Sequence, residues 1–379
     1  MRAGVTPCPF SFPASPNDPM PSTQSSLQVV ILAAGQGKRM NSDLPKVLHP
    51  LAGRPLLSHV LDTARLLAPS QVCVVVGHGA DRVRQAIGDA GVAWATQAQQ
   101  LGTGHAVMQA LPHLAPGGTV LVLYGDVPLI ASGTLRSLVD AAAAGHVALL
   151  TQELAQPKGY GRIVRNGGGR VARIVEEKDA NESERAIREV NTGILALPRA
   201  NLEKWLAQLR NENSQGEYYL TDVVAVLHDA GYGVVSMLID DARETQGVND
   251  RVQLAAAEAE LRRRTNESLL RQGVTMIDPD RTYVDATVKV ANDVTLFPGT
   301  LLQGQTLIGS GAEIGPDTRL VDCVVGEGAV VEFSVGRDAE IGAGARVGPF
   351  AALQPGSHVG AGTFTGPFYT ASSNDDSTA

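Results

Sequence analysis

The chain has 379 residues, 44% of them hydrophobic and 4% aromatic, with a formal net charge of −8. That length and apolar content predict two or three domains with a real core. The acidic balance, with no basic stripe, excludes nucleic acid as the main partner but leaves room for a local basic pocket around a small anion.

Residues 1–26 are rich in Pro and Ser and lack an apolar stretch after Arg2, so they read as a disordered tail and not as a signal peptide, with Met20 as a possible start. No run of 18 apolar residues occurs, so no membrane-spanning helix is expected. The three cysteines, Cys8, Cys73 and Cys323, are odd in number and far apart. They form neither a metal spacing nor a disulfide framework, and a reducing cytoplasm is the simplest home.

From Leu27 to about Asn249, short β-branched runs ("LQVVILAA", "VCVVVG", "TVLVLYGD", "HVALLT") alternate with helical patterns such as "PLLSHVLDTARLLA" and "LGTGHAVMQALPHL". Continuously apolar strands belong to a sheet covered on both faces, and β/α alternation predicts a mostly parallel sheet with right-handed crossovers. Ligands of such sheets sit at the carboxyl ends of the strands, where "AAGQGKR" and "YGD" fall. "NDRVQLAAAEAELRRRTNESLLRQGV" (249–274) reads as one connecting helix with apolar positions at helical spacing.

After it the period changes. Val284, Val290, Leu296, Leu302, Ile308, Ile314 and Leu320 stand six residues apart; the register slips to Val325 and Val331, then resumes as Val335, Ile341, Val347, Leu353 and Val359. Sustained hexads predict a β-helix with three hexads per coil. Fewer than five coils are expected, a prism about 20 Å long at the strand spacing.

The turn after the first strand is narrowed by elimination. A phosphate-binding loop of the G-x-x-x-x-G-K-[ST] type would need Gly where Leu32 stands and Ser or Thr where Arg39 stands. A dinucleotide fingerprint would need a third Gly at Met40. What remains, L-x-x-G-x-G-x-R-M followed by "DLPK" (43–46), resembles the nucleotidyltransferases that join a nucleoside triphosphate to a sugar 1-phosphate. Glycines let backbone close around phosphates, the amides and the start of a following helix favour anions, and Arg39 and Lys46 would neutralise the transferring phosphate and leaving pyrophosphate. A plain surface turn with two solvated cations is the alternative.

Further motifs follow in order: "QAQQLGTGHA", "YGDVPLI", "GYGRIV", "IVEEKDA", "NTGI", "GEYYLTD" and "GVNDR". Together with the hexads, over about residues 27–365, they resemble the bifunctional enzymes that acetylate glucosamine 1-phosphate and then make UDP-N-acetylglucosamine, a cell-envelope precursor. The resemblance implies an α/β chain: a Rossmann-like nucleotidyltransferase domain (27–250), a linker helix (251–277), a short left-handed parallel β-helix (278–366) and a disordered tail (367–379). It implies Mg²⁺ as cofactor, UTP and N-acetylglucosamine 1-phosphate as substrates, and a homotrimer formed through the β-helix.

By the same resemblance, Leu32, Ala33, Ala34 and Gly35 cradle the nucleotide, and Gln97, with Gly102 and Thr103, reads the uracil. Tyr124, Gly125 and Asp126 form the "YGD" wall, and Arg39, Lys46 and Asp126 are the catalytic set. Asp126 and Asn249 would hold Mg²⁺. Gly161, Glu176 and Asn191 would meet the sugar. Read without the family, Gln97 is also an ordinary surface glutamine, Asp126 a cap for the next element, Glu176 one of several solvated acids, Asn191 a turn residue and Asn249 a helix cap. Tyr218 and Tyr219 line or support the sugar pocket or are core. His78 and His105 are assigned no acid–base role, because the sugar phosphate is already ionised.

"VGPFAALQPG" (347–356) departs from the family, which carries an arginine where Gln354 stands, and His358 does not match the family's catalytic histidine; the chain then ends in "TGPFYTASSNDDSTA". No acetyltransferase activity is expected. Two rival readings remain at this stage: glucose 1-phosphate with UTP, dTTP or ATP, and a non-catalytic binder of sugar nucleotides.

Overall fold

The computed structural model describes residues 26–371, apart from 89, 143 and 144. The N-terminal tail read over residues 1–26 therefore falls, but for Ser26, outside the described residues, as does Cys8.

The first domain carries β1 (Leu27–Ala33), the small hairpin β2 (Pro50–Leu51) and β3 (Arg54–Pro55), β4 (Gln71–Val76), β5 (Ala93–Thr96), β6 (Thr119–Tyr124), β7 (Val147–Glu153), β8 (Arg162–Arg165), β9 (Val171–Val175), β10 (Glu189–Pro198) and β11 (Val234–Leu238). Its helices are α1 (Leu56–Arg65), α2 (Ala80–Ile87), α3 (Thr103–Ala110), α4 (Ser132–Ala142), α5 (Glu182–Arg185), α6 (Arg199–Leu206) and α7 (Val223–Asp229).

The main sheet runs β11-β7-β10-β6-β1-β4-β5, with β8 and β9 extending it beside β10. It is parallel across β6-β1-β4-β5 and β7-β11, while β10 runs antiparallel between β6 and β7. Alternate residues of β1 feed opposite faces. Val30 and Leu32 pack with Val107 and Val223, and Val29, Ile31 and Ala33 with Leu57, Val60 and Leu135. Both faces are buried, so the strands read as unbroken apolar runs.

The connecting helix α8 (Arg251–Arg271) begins later and ends earlier than 249–274. Its cap is Asp250, whose carboxylate accepts from the Gln253 amide at 2.8 Å, so Asn249 is not the cap. Nor is its buried stripe wholly apolar: Ala257, Asn266 and Leu269 are buried, and the largely covered Glu260 binds Arg263 and Arg264.

A three-sided parallel β-helix follows. One face stacks six strands and the other two stack five, more coils than the hexad count suggested. Thr370–Ala371 pairs with Ala352–Leu353, so the coil runs past Gly366 into residues read as tail. The inward register is as expected through Leu320, though Val290 is only half-buried. Val335 is a correction. It is 54% exposed, and Gly336 takes the inner place between Leu320 and Leu353. Cys323 fills the space there: a Cβ on Gly336 would meet its Sγ at 3.3 Å. A tightened corner thus hides the inward residue in a glycine.

Candidate functional site

The loops at the carboxyl ends of β1, β5 and β6 enclose a cleft of about 300 Å³. Its walls include Leu32, Ala33, Ala34, Gly35, Lys46, Gln97, Gly102, Thr103, Tyr124 and Asp126 from the expected set, joined by Val47, Gln100 and Glu217. Gly125 lies just behind. Its N–H donates to the Leu32 carbonyl at 2.9 Å, tying the ends of β1 and β6 together.

The glycine-rich loop does not run into a helix. Gly37, at φ +64°, turns it into a single 3-10 turn, Lys38–Met40, so this loop presents no α-helix N-terminus to the cleft. That turn leaves Arg39 exposed, off the cleft wall and without an ion pair among the described residues. Gly37 packs against the stem of Lys46, where a Cβ would come within 2.6 Å of the Lys46 Cβ.

Lys46 Nζ makes an ion pair with Asp126 and donates to Asn249 Oδ1 at 3.0 Å. Asn249 reaches it because the Val248 N–H donates to the Asp126 carbonyl at 2.8 Å. Its own N–H donates to Gln253 Oε1 at 2.7 Å. Residues 80 and 203 positions from Lys46 thus meet at one ammonium.

Gln97 is 3% exposed. Its Nε2 donates to the Gly102 carbonyl at 2.9 Å and lies 3.1 Å from His105 Nδ1. A carbonyl oxygen only accepts, so the amide nitrogen must face Gly102 and its oxygen is the atom left for a ligand. Gly102, at φ +103°, lies against Tyr218, where a Cβ would be 2.9 Å from the Tyr218 nitrogen. This contact seats "GEYYLTD" beside "LGTGHA". Tyr219 is buried, its hydroxyl accepting from Gln215 Nε2 at 2.9 Å.

A second, smaller hollow opens on the other side of Tyr124, lined by Asn191, Gly193 and Thr221. Asn191 N–H donates to the Gly161 carbonyl at 2.8 Å. Gly161 lets Glu176 come close: a Cβ there would stand 3.3 Å from its Oε1. Burial pushes the Glu176 carboxyl above its ordinary range, against the Thr221 hydroxyl that donates to it at 3.0 Å. Burial, with Glu176 and Asp126 nearby, also pushes the Tyr124 phenol up.

Sequence reasoning missed several supporting residues. Arg162 is 1% exposed; it donates to the Tyr160 carbonyl and pairs with Glu177 at 2.6 Å, pinning the Gly159–Gly161 bend. Thr221 and Arg162 lay inside recognised motifs, but a threonine and an arginine carry no pattern signal of their own. Among the described residues, no group of three His, Cys, Asp or Glu side chains gathers to hold a metal. The oxygen donors that do converge are Asp126 and Asn249.

Residues 29–233 match the MobA-like NTP transferase domain. The chain is 50% identical over 343 residues to the "Bifunctional protein GlmU" of Cupriavidus pinatubonensis, covering 90% of this chain and 76% of that one. The same named protein from Azoarcus sp. (strain BH72) is 50% identical with the same coverage. That from Cupriavidus metallidurans is 53% identical over 324 residues, 86% of this chain and 68% of the relative. A triphosphate-sized cleft at the strand ends, a lysine–carboxylate pair beside it and these likenesses agree: the chain belongs to the GlmU family and is a sugar-phosphate nucleotidyltransferase of the UDP-N-acetylglucosamine pyrophosphorylase type.

Proposed function

We propose that the protein transfers the uridylyl group of UTP to N-acetylglucosamine 1-phosphate, releasing pyrophosphate and supplying a cell-wall precursor. The observation that carries this reading is the meeting of Lys46, Asp126 and Asn249 at the wall of a nucleotide-sized cleft, which shares Tyr124 with the hollow of Asn191 and Thr221.

The Gln97 oxygen accepts from N3–H of uracil, and Ala34 and Gly35 let the triphosphate approach the backbone. Glu176 and Asn191 hold sugar hydroxyl and acetamido groups. The sugar-phosphate oxygen, already ionised, attacks the α-phosphorus; the bond to the β-phosphate oxygen breaks and pyrophosphate leaves, so no protein base is needed. Lys46, with Arg39 swinging in from the rim, neutralises the charge that builds on the phosphates.

Asp126 and Asn249 suit Mg²⁺, since a carboxylate and an amide oxygen are hard donors converging on one cationic point. Bound there, the ion neutralises triphosphate charge.

The test is pyrophosphate release with UTP and Mg²⁺, comparing N-acetylglucosamine 1-phosphate, glucosamine 1-phosphate and glucose 1-phosphate. Turnover with the N-acetyl sugar alone, lost with EDTA and in Asp126→Ala, is expected. Preference for glucose 1-phosphate, or UTP binding without turnover, overturns the reading.

The proposal leaves out acetyl transfer, on the ground of Gln354 in place of the family's arginine; acetyl-CoA-dependent acetylation of glucosamine 1-phosphate by the pure protein would refute that. It includes a homotrimer through the β-helix, whose outer faces expose Leu307, Val324 and Val335; a monomeric mass by light scattering would contradict it. A cytoplasmic location is supported by the free, buried thiols of Cys73 and Cys323. No helix among the described residues is long and apolar enough to cross a membrane.

A further inference from the structure

Lys46 touches both residues assigned above to the metal, and it does so through the same atom. Its Nζ pairs with Asp126 Oδ2 and donates to Asn249 Oδ1 at 3.0 Å. The pair is well shielded, with the Lys46 and Asp126 side chains 12% and 15% exposed. An ammonium and a divalent cation cannot share that point. Both need the lone pairs of the same two oxygens, and their charges repel strongly where water is scarce.

We propose that Lys46 is a competitive latch on the metal position: its ammonium holds the oxygens of Asp126 and Asn249 until a polyphosphate offers it another partner. This rests on the Asp126–Asn249 metal reading given above.

The lysine is placed for such an exchange. It lines the same cleft wall as Ala34 and Gly35, so phosphates seated on that loop come within reach of the ammonium. Gly37 packs on the Lys46 Cβ, which fixes the root of the side chain. The coupling must be reciprocal: whatever factor nucleotide contributes to cation affinity, the cation returns to nucleotide affinity. The latch makes uptake of cation and nucleotide mutually dependent and keeps the bare protein a poor binder of divalent ions.

The test is binding of Mn²⁺ alone, read by the electron paramagnetic resonance signal of the free ion, to the full chain without nucleotide. Wild type, Lys46→Met, Lys46→Gln, Asp126→Asn and Lys46→Met/Asp126→Asn are compared, with a thermal melt of each to establish folding. The latch predicts weak binding by wild type and at least about tenfold tighter binding by both Lys46 variants, because the competitor is gone and the Asp126 charge is freed. It predicts that adding Asp126→Asn to Lys46→Met abolishes the gain. Equal Mn²⁺ affinity in wild type and folded Lys46 variants, with Asp126→Asn still weakening it, overturns the latch while leaving the metal site standing. Binding that Asp126→Asn does not weaken in either background overturns the metal reading itself. Should one Lys46 variant not fold, the other decides.

Discussion

Gly193 lies flat against the Tyr124 ring: at φ +86°, a Cβ there would stand 2.6 Å from Cε2 and 2.9 Å from Cζ. Tyr124 is the wall shared by the nucleotide cleft and the smaller hollow, so this glycine sets where the wall stands. Gly193→Ala must push the ring into the cleft and strain the backbone. We expect a loss of about 1–3 kcal/mol in stability and a rise in KM for both substrates, measured by denaturant melts and initial rates.

The base end of the cleft yields a specificity prediction. With its nitrogen committed to Gly102, Gln97 presents an acceptor, which under the proposed function would pair with uracil N3–H and would face the bare N3 of cytosine. UTP should be preferred over CTP by at least about 100-fold in kcat/KM, and Gln97→Ala should collapse the ratio through loss of UTP turnover. A wild-type protein that uses both equally would refute the assignment.

The Thr221 hydroxyl holds the Glu176 carboxyl down against the effect of burial. Thr221→Val removes that donor, so Glu176 stays protonated to higher pH. If the carboxylate form binds the sugar, the acid limb of the kcat/KM profile moves toward alkaline pH, with little change at the alkaline end. A profile that falls uniformly at all pH values would point to a packing defect instead.

Asp222 is a stability site. Burial, then the neighbouring Asp179, pushes its carboxyl from 3.8 to about 6. The folded state therefore binds a proton that the unfolded chain has lost between those values, and stability falls as pH rises from about 4 to about 6. Half-exposed and screened, the group costs on the order of 1 kcal/mol above that window. Asp222→Asn should raise the melting temperature at pH 7.5, and the gain should vanish at pH 4.

In the β-helix, Gly336→Ala places a Cβ 3.1 Å from Leu320 Cδ2 and 3.3 Å from Cys323 Sγ. It should cost about 1 kcal/mol, and Cys323→Ala should recover much of that when combined, a coupling a double-mutant cycle measures.

Much of this could be read from the chain. Unbroken apolar runs such as "VVILA" reveal a sheet buried on both faces, and six-residue spacing reveals three-sided coils, because both patterns are direct images of burial. Val335 misled because a corner one residue shorter changes which neighbour faces inward, and a glycine on the inner wall leaves no apolar mark. Lys46, Asp126 and Gln97 were placed in the cleft by their motifs. Arg39 was expected beside Lys46, yet its position depends on the φ of Gly37, which the letters do not encode. Arg162 and Thr221 act by pinning other groups, and such roles exist only in three dimensions.

Asn249 stands one residue before the Asp250 cap of α8, whose 21 residues span about 30 Å. The far part of that helix is bolted to the β-helix, with Asn266 Nδ2 donating to the carbonyls of Pro279 at 2.7 Å and Thr282 at 2.9 Å. Mechanically this is a strut with the site at one end. Its near part is tied to the first domain, Arg251 Nε donating to the Met40 carbonyl at 3.3 Å and Arg264 to the Leu129 carbonyl at 2.8 Å, so one strut joins the edge of the cleft to the prism.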